Sequence, residues 1–325
     1  MTRCFVFPGQ GSQAVGMGRD LAAAFPIARH VFQEVDEALK QKLSLLMAEG
    51  PAEELILTEN AQPALMAVGV AVARVLESEG NFTLADKGRF VAGHSLGEYA
   101  ALAATRALSL ADTARLLKLR GQAMQKAVPV GIGAMSALLG ADLEQGIAIA
   151  AAAAEAATAA QLPGQPAQIC AVANDNGGGQ IVLSGHKTAV DLVPEIAKTK
   201  GVKRAMSLPV SAPFHCALMQ PAADAMAEAL AAVQLSPPTL PVVANVTAAA
   251  VSDPDTIRKL LVQQVTAMVR WRESVLWLKG QGVTTLVELG AGKVLTGLVK
   301  RIDPEMTGTN AGTPAEIDAL LKLMA

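Results

Sequence analysis

A chain of 325 residues can build one large core, or a main domain that carries a smaller one. Hydrophobic residues make up 51% and aromatics only 3%, so the expected core is aliphatic and alanine-rich. A net charge of −2 argues against a nucleic-acid surface, and three scattered cysteines (Cys4, Cys170, Cys216) argue against a disulfide framework or a zinc site.

Strand-like and helix-like segments alternate from the start, which predicts an α/β architecture with a mainly parallel sheet. Residues 4–7 read as a short strand, followed by the loop Pro8-Gly9-Gln10-Gly11-Ser12-Gln13. Helical periodicity covers residues 20–46 and 63–79, then a strand over 89–92, then helices over 96–104 and 110–128. Met1-Thr2-Arg3 leads into only a short apolar run, and the longest apolar stretch, 147–154, is too short for a bilayer. The expectation is a cytoplasmic protein.

Between about 130 and 208 the rhythm changes. Strands are predicted at 134–139, 168–173, 180–184 and 202–208, with helices at 142–160 and 187–200. Asn174-Asp175-Asn176-Gly177-Gly178-Gly179 reads as the turn between the middle two strands. That β-α-β-β-α-β order predicts a ferredoxin-like unit at 130–208, inserted into a larger domain formed by 1–129 and 209–325. After it, Ser211-Ala-Pro-Phe-His215 leads into a helix over 217–233. Strands at 241–246 and 284–289, a helix at 256–269, a long helix after Gly290-Ala-Gly-Lys293 and a short one at 317–323 complete the chain.

Gly93-His94-Ser95-Leu96-Gly97 lies between the strand at 89–92 and the helix at 96–104. Strand, tight turn and helix form the setting in which G-x-S-x-G holds a nucleophilic serine at a sharp bend. A neutral serine needs a base within hydrogen-bond reach, and the chain has four histidines. His30 sits on an amphipathic helix, His186 at a helix entry, and His94 inside the bend, where neighbouring side chains diverge. His215, at a strand-to-helix junction, is the expected base. No acidic residue stands out as a third member, so a dyad is expected, with a backbone carbonyl orienting the imidazole.

On a wheel of about 100° per residue, Leu116, Leu117, Ala123, Met124 and Ala127 share one side of their helix. Arg120 falls in the middle of that side. A buried guanidinium must meet an acid: either a structural Asp or Glu, or an acid group on a substrate gripped bidentately. Gly9-x-Gly11-x-x-Ala14 superficially fits a dinucleotide fingerprint, but the region that should hold its second strand is helical. Gly290-Ala-Gly-Lys293 lacks P-loop spacing. A glycine loop near a nucleophile can instead give a backbone N–H to an oxyanion, worth about 3 kcal/mol in the transition state.

Five motifs occur in order: Phe7-Pro-Gly-Gln-Gly-Ser-Gln13, Gly93-His-Ser-Leu-Gly-Glu-Tyr99, Leu119-Arg-Gly121, Pro213-Phe-His-Cys-Ala-Leu-Met219 and Glu288-Leu-Gly-Ala-Gly-Lys-Val-Leu-Thr296. Together they resemble the malonyl-CoA:acyl carrier protein transacylase family of bacterial fatty-acid synthesis, over almost the whole chain. The resemblance implies an α/β-hydrolase-like domain with a ferredoxin-like insert. It implies Ser95 as the acylated nucleophile, His215 as its base, backbone amides of Gln10 and Leu96 as the oxyanion hole, and Arg120 as the clasp for the malonyl carboxylate. It also implies that the Gln264 carbonyl orients the histidine, and it places His94 and Asn245 near the site. Phe214 resembles the malonyl-selective form of its motif in related polyketide acyltransferases. The implied partners are malonyl-CoA and acyl carrier protein, for a monomer with no cofactor of its own. Met268 stands where the family usually has proline, and the first helix of the insert and its following loop look longer than usual. Two rivals stay open: a hydrolase that gives the acyl group to water, and a carrier-binding module with a degenerate site.

Overall fold

The computed structural model describes residues 2–210 and 212–324; Met1, Ala325 and Ser211, the first residue of the stretch leading to His215, lie outside the described residues. Among the described residues ten strands run in chain order: β1 (Arg3–Phe7), β2 (Phe90–Gly93), β3 (Gly133–Leu139), β4 (Cys170–Gly177), β5 (Gln180–His186), β6 (Arg204–Ser207), β7 (Val242–Ala244), β8 (Ala249–Val251), β9 (Thr285–Leu289) and β10 (Thr307–Ala311).

Six of these strands form a sheet in the order β10-β9-β1-β2-β7-β8, parallel except for the edge strand β8. Cys4–Phe7 and the whole of β2 are buried. Helices cover both faces, so central strands read as continuous apolar runs rather than alternating ones. The register pairs Phe7 with Gly93. The loops that leave β1 and β2 therefore emerge side by side at the carboxyl edge, where open α/β sheets gather their sites.

The second sheet is four-stranded and antiparallel, in the order β4-β5-β3-β6. Its apolar face packs on the helices Leu143–Ala159 and Val193–Thr199 through Leu138, Ile149, Ala153, Ile181, Leu183 and Val193. β4 is stitched to the larger unit at the segment ahead of the helix Trp271–Gly280, where Val269 N–H donates to Ala173 O (2.8 Å) and Asp175 N–H donates to Val269 O (3.0 Å).

Several expected elements differ. Residues 20–46 form three helices, Arg19–Ala24, Pro26–Leu39 and Leu43–Glu49, because Phe25 is extended before Pro26 and Lys40 is left-handed. The helix Thr58–Gly80 starts ahead of Pro63, where a proline usually marks the first turn. Residues 187–200 split into two helices, and 217–233 open with a 3₁₀ turn.

The turn of the β4–β5 hairpin sits at the glycines. Asn174, Asp175 and Asn176 are buried strand residues, interrupted by register shifts. Asp175 Oδ2 accepts from Arg272 Nε (2.8 Å) and Asn176 Oδ1 lies 2.8 Å from His94 Nε2, so these two side chains are engaged by elements remote in sequence rather than by local backbone alone. The helix Pro254–Gln264 ends earlier than expected. The strands β8 and β10 and the helix Trp271–Gly280 had not been anticipated. Among the described residues no helix is long and apolar enough to cross a membrane.

Candidate active site

Ser95 stands between β2 and the helix Leu96–Ala104 with φ 53° and ψ −109°, a conformation that costs a non-glycine residue about 1–3 kcal/mol. Close packing around it compels the bend. A Cβ on Gly93 would lie 1.9 Å from the Gly97 carbonyl carbon, and one on Gly97 would lie 2.2 Å from Phe7 O. Asn245 pins the bend from β7: its Oδ1 accepts from Ser95 N–H (2.7 Å) and its amide donates to Gly93 O (2.7 Å).

His215 lies with its Nε2 2.8 Å from Ser95 Oγ. Its Nδ1 faces two carbonyl oxygens, Gln264 O at 2.9 Å and Ala267 O at 3.2 Å. Carbonyls only accept, so Nδ1 carries the proton and Nε2 is left to accept from the serine hydroxyl. Burial, and then the nearby charge of Arg120, push the imidazole down to about 3. It is therefore neutral at ordinary pH.

Arg120 is 1% exposed on the helix Leu110–Ala127. Nη1 donates to Gln62 Oε1 (2.8 Å), while Nη2 donates to Gln264 Oε1 (2.9 Å) and Ser95 Oγ (3.1 Å). Nε has no partner among the described residues. No ion pair among the described residues includes Arg120. Of the two counter-charges that the helix wheel left open, no structural carboxylate touches the guanidinium. The buried acid in the neighbourhood is Glu98, which is linked through Gln264: Glu98 Oε2 accepts from Gln264 Nε2 (2.9 Å) and Asn245 N–H (3.0 Å). Burial raises its carboxyl to about 7. An arginine stays charged in such surroundings, so its charge is solvated here chiefly by neutral groups.

These groups open onto a cavity of about 340 Å³ lined in part by Gln10, Ser95, Arg120, Met124, Phe214 and His215. Leu96 and His94 also line it. Gln10 is exposed, and its side chain accepts from Thr58 Oγ1 at 2.9 Å. His94 Nε2 lies 2.8 Å from Asn176 Oδ1, with its ring tilted against Trp271. Burial pushes its pKa down.

The other histidines lie apart. His30 lines a separate cleft, and His186 Nδ1 accepts from Ile169 N–H at 2.8 Å. Among the described residues no cluster of side chains is suited to hold a metal ion. Sequence reasoning had missed Gln62, Thr58 and Asn176. Gln62 and Thr58 interrupt the polar–apolar pattern of a buried helix, which is the signal that could have found them.

The acyl transferase domain family matches residues 4–303, which take in the second sheet, all of the first sheet but its edge strand β10, and the whole cavity wall. The protein is an acyltransferase. Within that class the chain belongs to the malonyl CoA-acyl carrier protein transacylase family. It is 46% identical over 319 residues to the enzyme of that name from Escherichia coli K12, covering 98% of each chain. The acyl-carrier-protein-S-malonyltransferase of Bartonella henselae is similar in structure, with a TM-score of 0.94 and 53% identity over 100% of this chain and 99% of that one. A malonyl-transacylase solved in complex with its type II PKS acyl-carrier protein superimposes with a TM-score of 0.92 at 41% identity, covering 99% of this chain and 100% of that one.

Proposed function

We propose that this enzyme moves a malonyl group from malonyl-CoA to the phosphopantetheine thiol of acyl carrier protein, through an ester on Ser95, and so supplies fatty-acid synthesis. The observation that carries the reading is a buried guanidinium without an acid, in contact with the elbow serine. In a malonyl thioester the carboxylate carbon and the thioester carbon are separated by one methylene, about 2.5 Å from tetrahedral bond lengths. A diacid of that size can place its carboxylate on Arg120 while its thioester carbon meets Ser95 Oγ.

In the first half-reaction His215 Nε2 takes the hydroxyl proton as Ser95 Oγ bonds to the thioester carbon. The amides of Gln10 and Leu96 receive the oxyanion; among the described residues neither has a protein acceptor. Collapse breaks the C–S bond, and the CoA sulfur leaves with the proton from His215. In the second half-reaction His215 takes the carrier thiol's proton, sulfur attacks the ester, and the proton returns to Ser95. The Gln264 and Ala267 carbonyls do the orienting work of a third triad member. Phe214 narrows the cavity beside the base and restricts the acyl chain.

Every role falls to a side chain or amide of one chain, so the reading needs neither a cofactor nor a second subunit, and it places the enzyme in the cytoplasm. The topology supports an α/β-hydrolase-like unit of 1–129 and 209–325, with 130–208 as a ferredoxin-like insert whose strand order β4-β5-β3-β6 fits that class. Intact mass spectrometry tests the reading: malonyl-CoA should add one malonyl group to the protein and none to Ser95→Ala, and holo carrier protein should remove it. Loss of the adduct to water at the same rate without carrier would make the protein a hydrolase. No adduct at all would leave a binding module.

A further inference from the structure

A second line of hydrogen bonds leaves Arg120 on the side away from Gln264. Arg120 Nη1 donates to Gln62 Oε1 (2.8 Å), Gln62 Nε2 to Thr58 Oγ1 (3.0 Å), and the Thr58 hydroxyl to Gln10 Oε1 (2.9 Å). Its direction follows from the chemistry of the groups. A guanidinium can only donate, so Gln62 must present its oxygen to it and its NH₂ to Thr58. The single hydroxyl proton of Thr58 is then left for Gln10. Thr58 and Gln62 are 5% and 2% exposed, and lie one turn apart on one face of the helix Thr58–Gly80.

At its far end the line meets Gln10, whose side chain has no other hydrogen-bond partner among the described residues. Gln10 is exposed and sits between Gly9 and Gly11, the latter at φ 104° with nothing within 4 Å of a Cβ. Gly9 on one side is packed against His94, where a Cβ would lie 2.9 Å from the His94 carbonyl oxygen, so the freedom of the loop lies on the Gly11 side. The Thr58 hydroxyl is the side-chain tether that the structure gives it.

Resting on the function proposed above, we infer that Thr58 and Gln62 are positioning residues that tie the carboxylate clasp to the oxyanion loop, so that the cation that seats the acid also sets the Gln10 amide. The tether serves the oxyanion, which forms with any acyl group. Losing it slows attack on malonyl and acetyl thioesters alike, whereas losing Arg120 penalises malonyl selectively.

The test is single-turnover acylation of Ser95 by malonyl-CoA and acetyl-CoA in the wild type, Thr58→Val and Thr58→Ser. Thr58→Val should acylate about 10- to 100-fold more slowly with both thioesters, with the malonyl-CoA KM nearly unchanged, as expected for a misplaced oxyanion donor. Thr58→Ser keeps the hydroxyl and should recover most of the rate. Wild-type rates in Thr58→Val, a loss confined to malonyl with a raised KM, or equal damage by Val and Ser would each overturn the tether. Absence of a malonyl adduct on the wild type would sink the functional reading and the tether with it. An adduct on the wild type with no slowing in Thr58→Val sinks the tether alone.

Discussion

Glu98 and Gln264 are locked in one orientation: Glu98 Oε2 accepts from Gln264 Nε2 at 2.9 Å, which turns Gln264 Oε1 toward Arg120. The backbone carbonyl of the same glutamine accepts a hydrogen bond from His215 Nδ1–H. One residue thus steadies the base through its main chain and the cation through its side chain.

Removing Glu98 should therefore be felt at both groups. Glu98→Ala leaves Gln264 Nε2 and Asn245 N–H short of an acceptor in a buried place, at a cost of about 1–3 kcal/mol. Glu98→Gln can offer an amide oxygen to the same two donors and should recover much of that loss. Denaturant unfolding of the pair checks it, and equal midpoints for the Ala and Gln variants would contradict the assignment.

Arg120→Ala should lower malonyl acylation by a factor on the order of 10³–10⁴, as a site built around a polar group does when that group goes unpaired. Acetyl acylation should fall much less, so the gap between the two substrates narrows. Initial rates with both thioesters decide the matter; equal losses would remove Arg120 from the acid-binding role.

The depressed pKa of His215 has a consequence for stability. The folded state holds this imidazole neutral down to about 3, while the unfolded chain protonates near 6.5. Unfolded molecules then bind more protons, so stability falls as pH drops through that window. Glu98 works in the opposite sense. Its folded carboxyl is raised to about 7 from 4.5, so its contribution is present below 4.5 and fades as pH rises toward 7. His215→Gln removes the first effect alone. The melting temperature of the variant should drop less than that of the wild type between pH 6.5 and 4.5.

Two glycines should respond with opposite signs to alanine. Gly97→Ala forces a Cβ to 2.2 Å from the Phe7 carbonyl oxygen and should destabilise by at least about 1–3 kcal/mol while slowing acylation. Gly297, within the helix Val294–Ile302, meets nothing within 4 Å, and its alanine variant should stabilise by about 0.5–1 kcal/mol. Thermal melts of both variants suffice to check it.

Much of this arrangement can be read from the chain. The apolar runs of β1, β2 and β9 and the 3.6-residue periodicity of the helix Leu110–Ala127 locate a mainly parallel sheet and a buried arginine. The G-x-S-x-G bend marks the serine, and Arg120 and His215 lie within hydrogen-bond reach of it. The hairpin turn falls later than the Asn174-Asp175-Asn176 run suggests, because Asp175 and Asn176 look like turn formers until their partners are known. Arg272 and His94 supply two of those partners, on elements remote in sequence. β10, Thr-Gly-Thr-Asn-Ala, carries no hydrophobic pattern and pairs only because β9 offers it an edge. The helix Trp271–Gly280 did carry one, with Trp271, Val275 and Leu278 buried on one face. Thr58 and Gln62 stand out in the chain only as polar residues on a buried helix; the hydrogen-bonded line they form with Arg120 and Gln10 exists only once three elements are packed together.

The three oxygens around the guanidinium also bear on how such a site changes its diet. Gln62 Oε1, Gln264 Oε1 and Ser95 Oγ all turn toward Arg120. Replacing the arginine alone strands two buried amide oxygens and removes a donor from the nucleophile. On the proposed role of Arg120, a lineage drifting toward uncharged acyl groups would have to rewrite both glutamines along with it, so a preference for a diacid would be hard to lose by single steps.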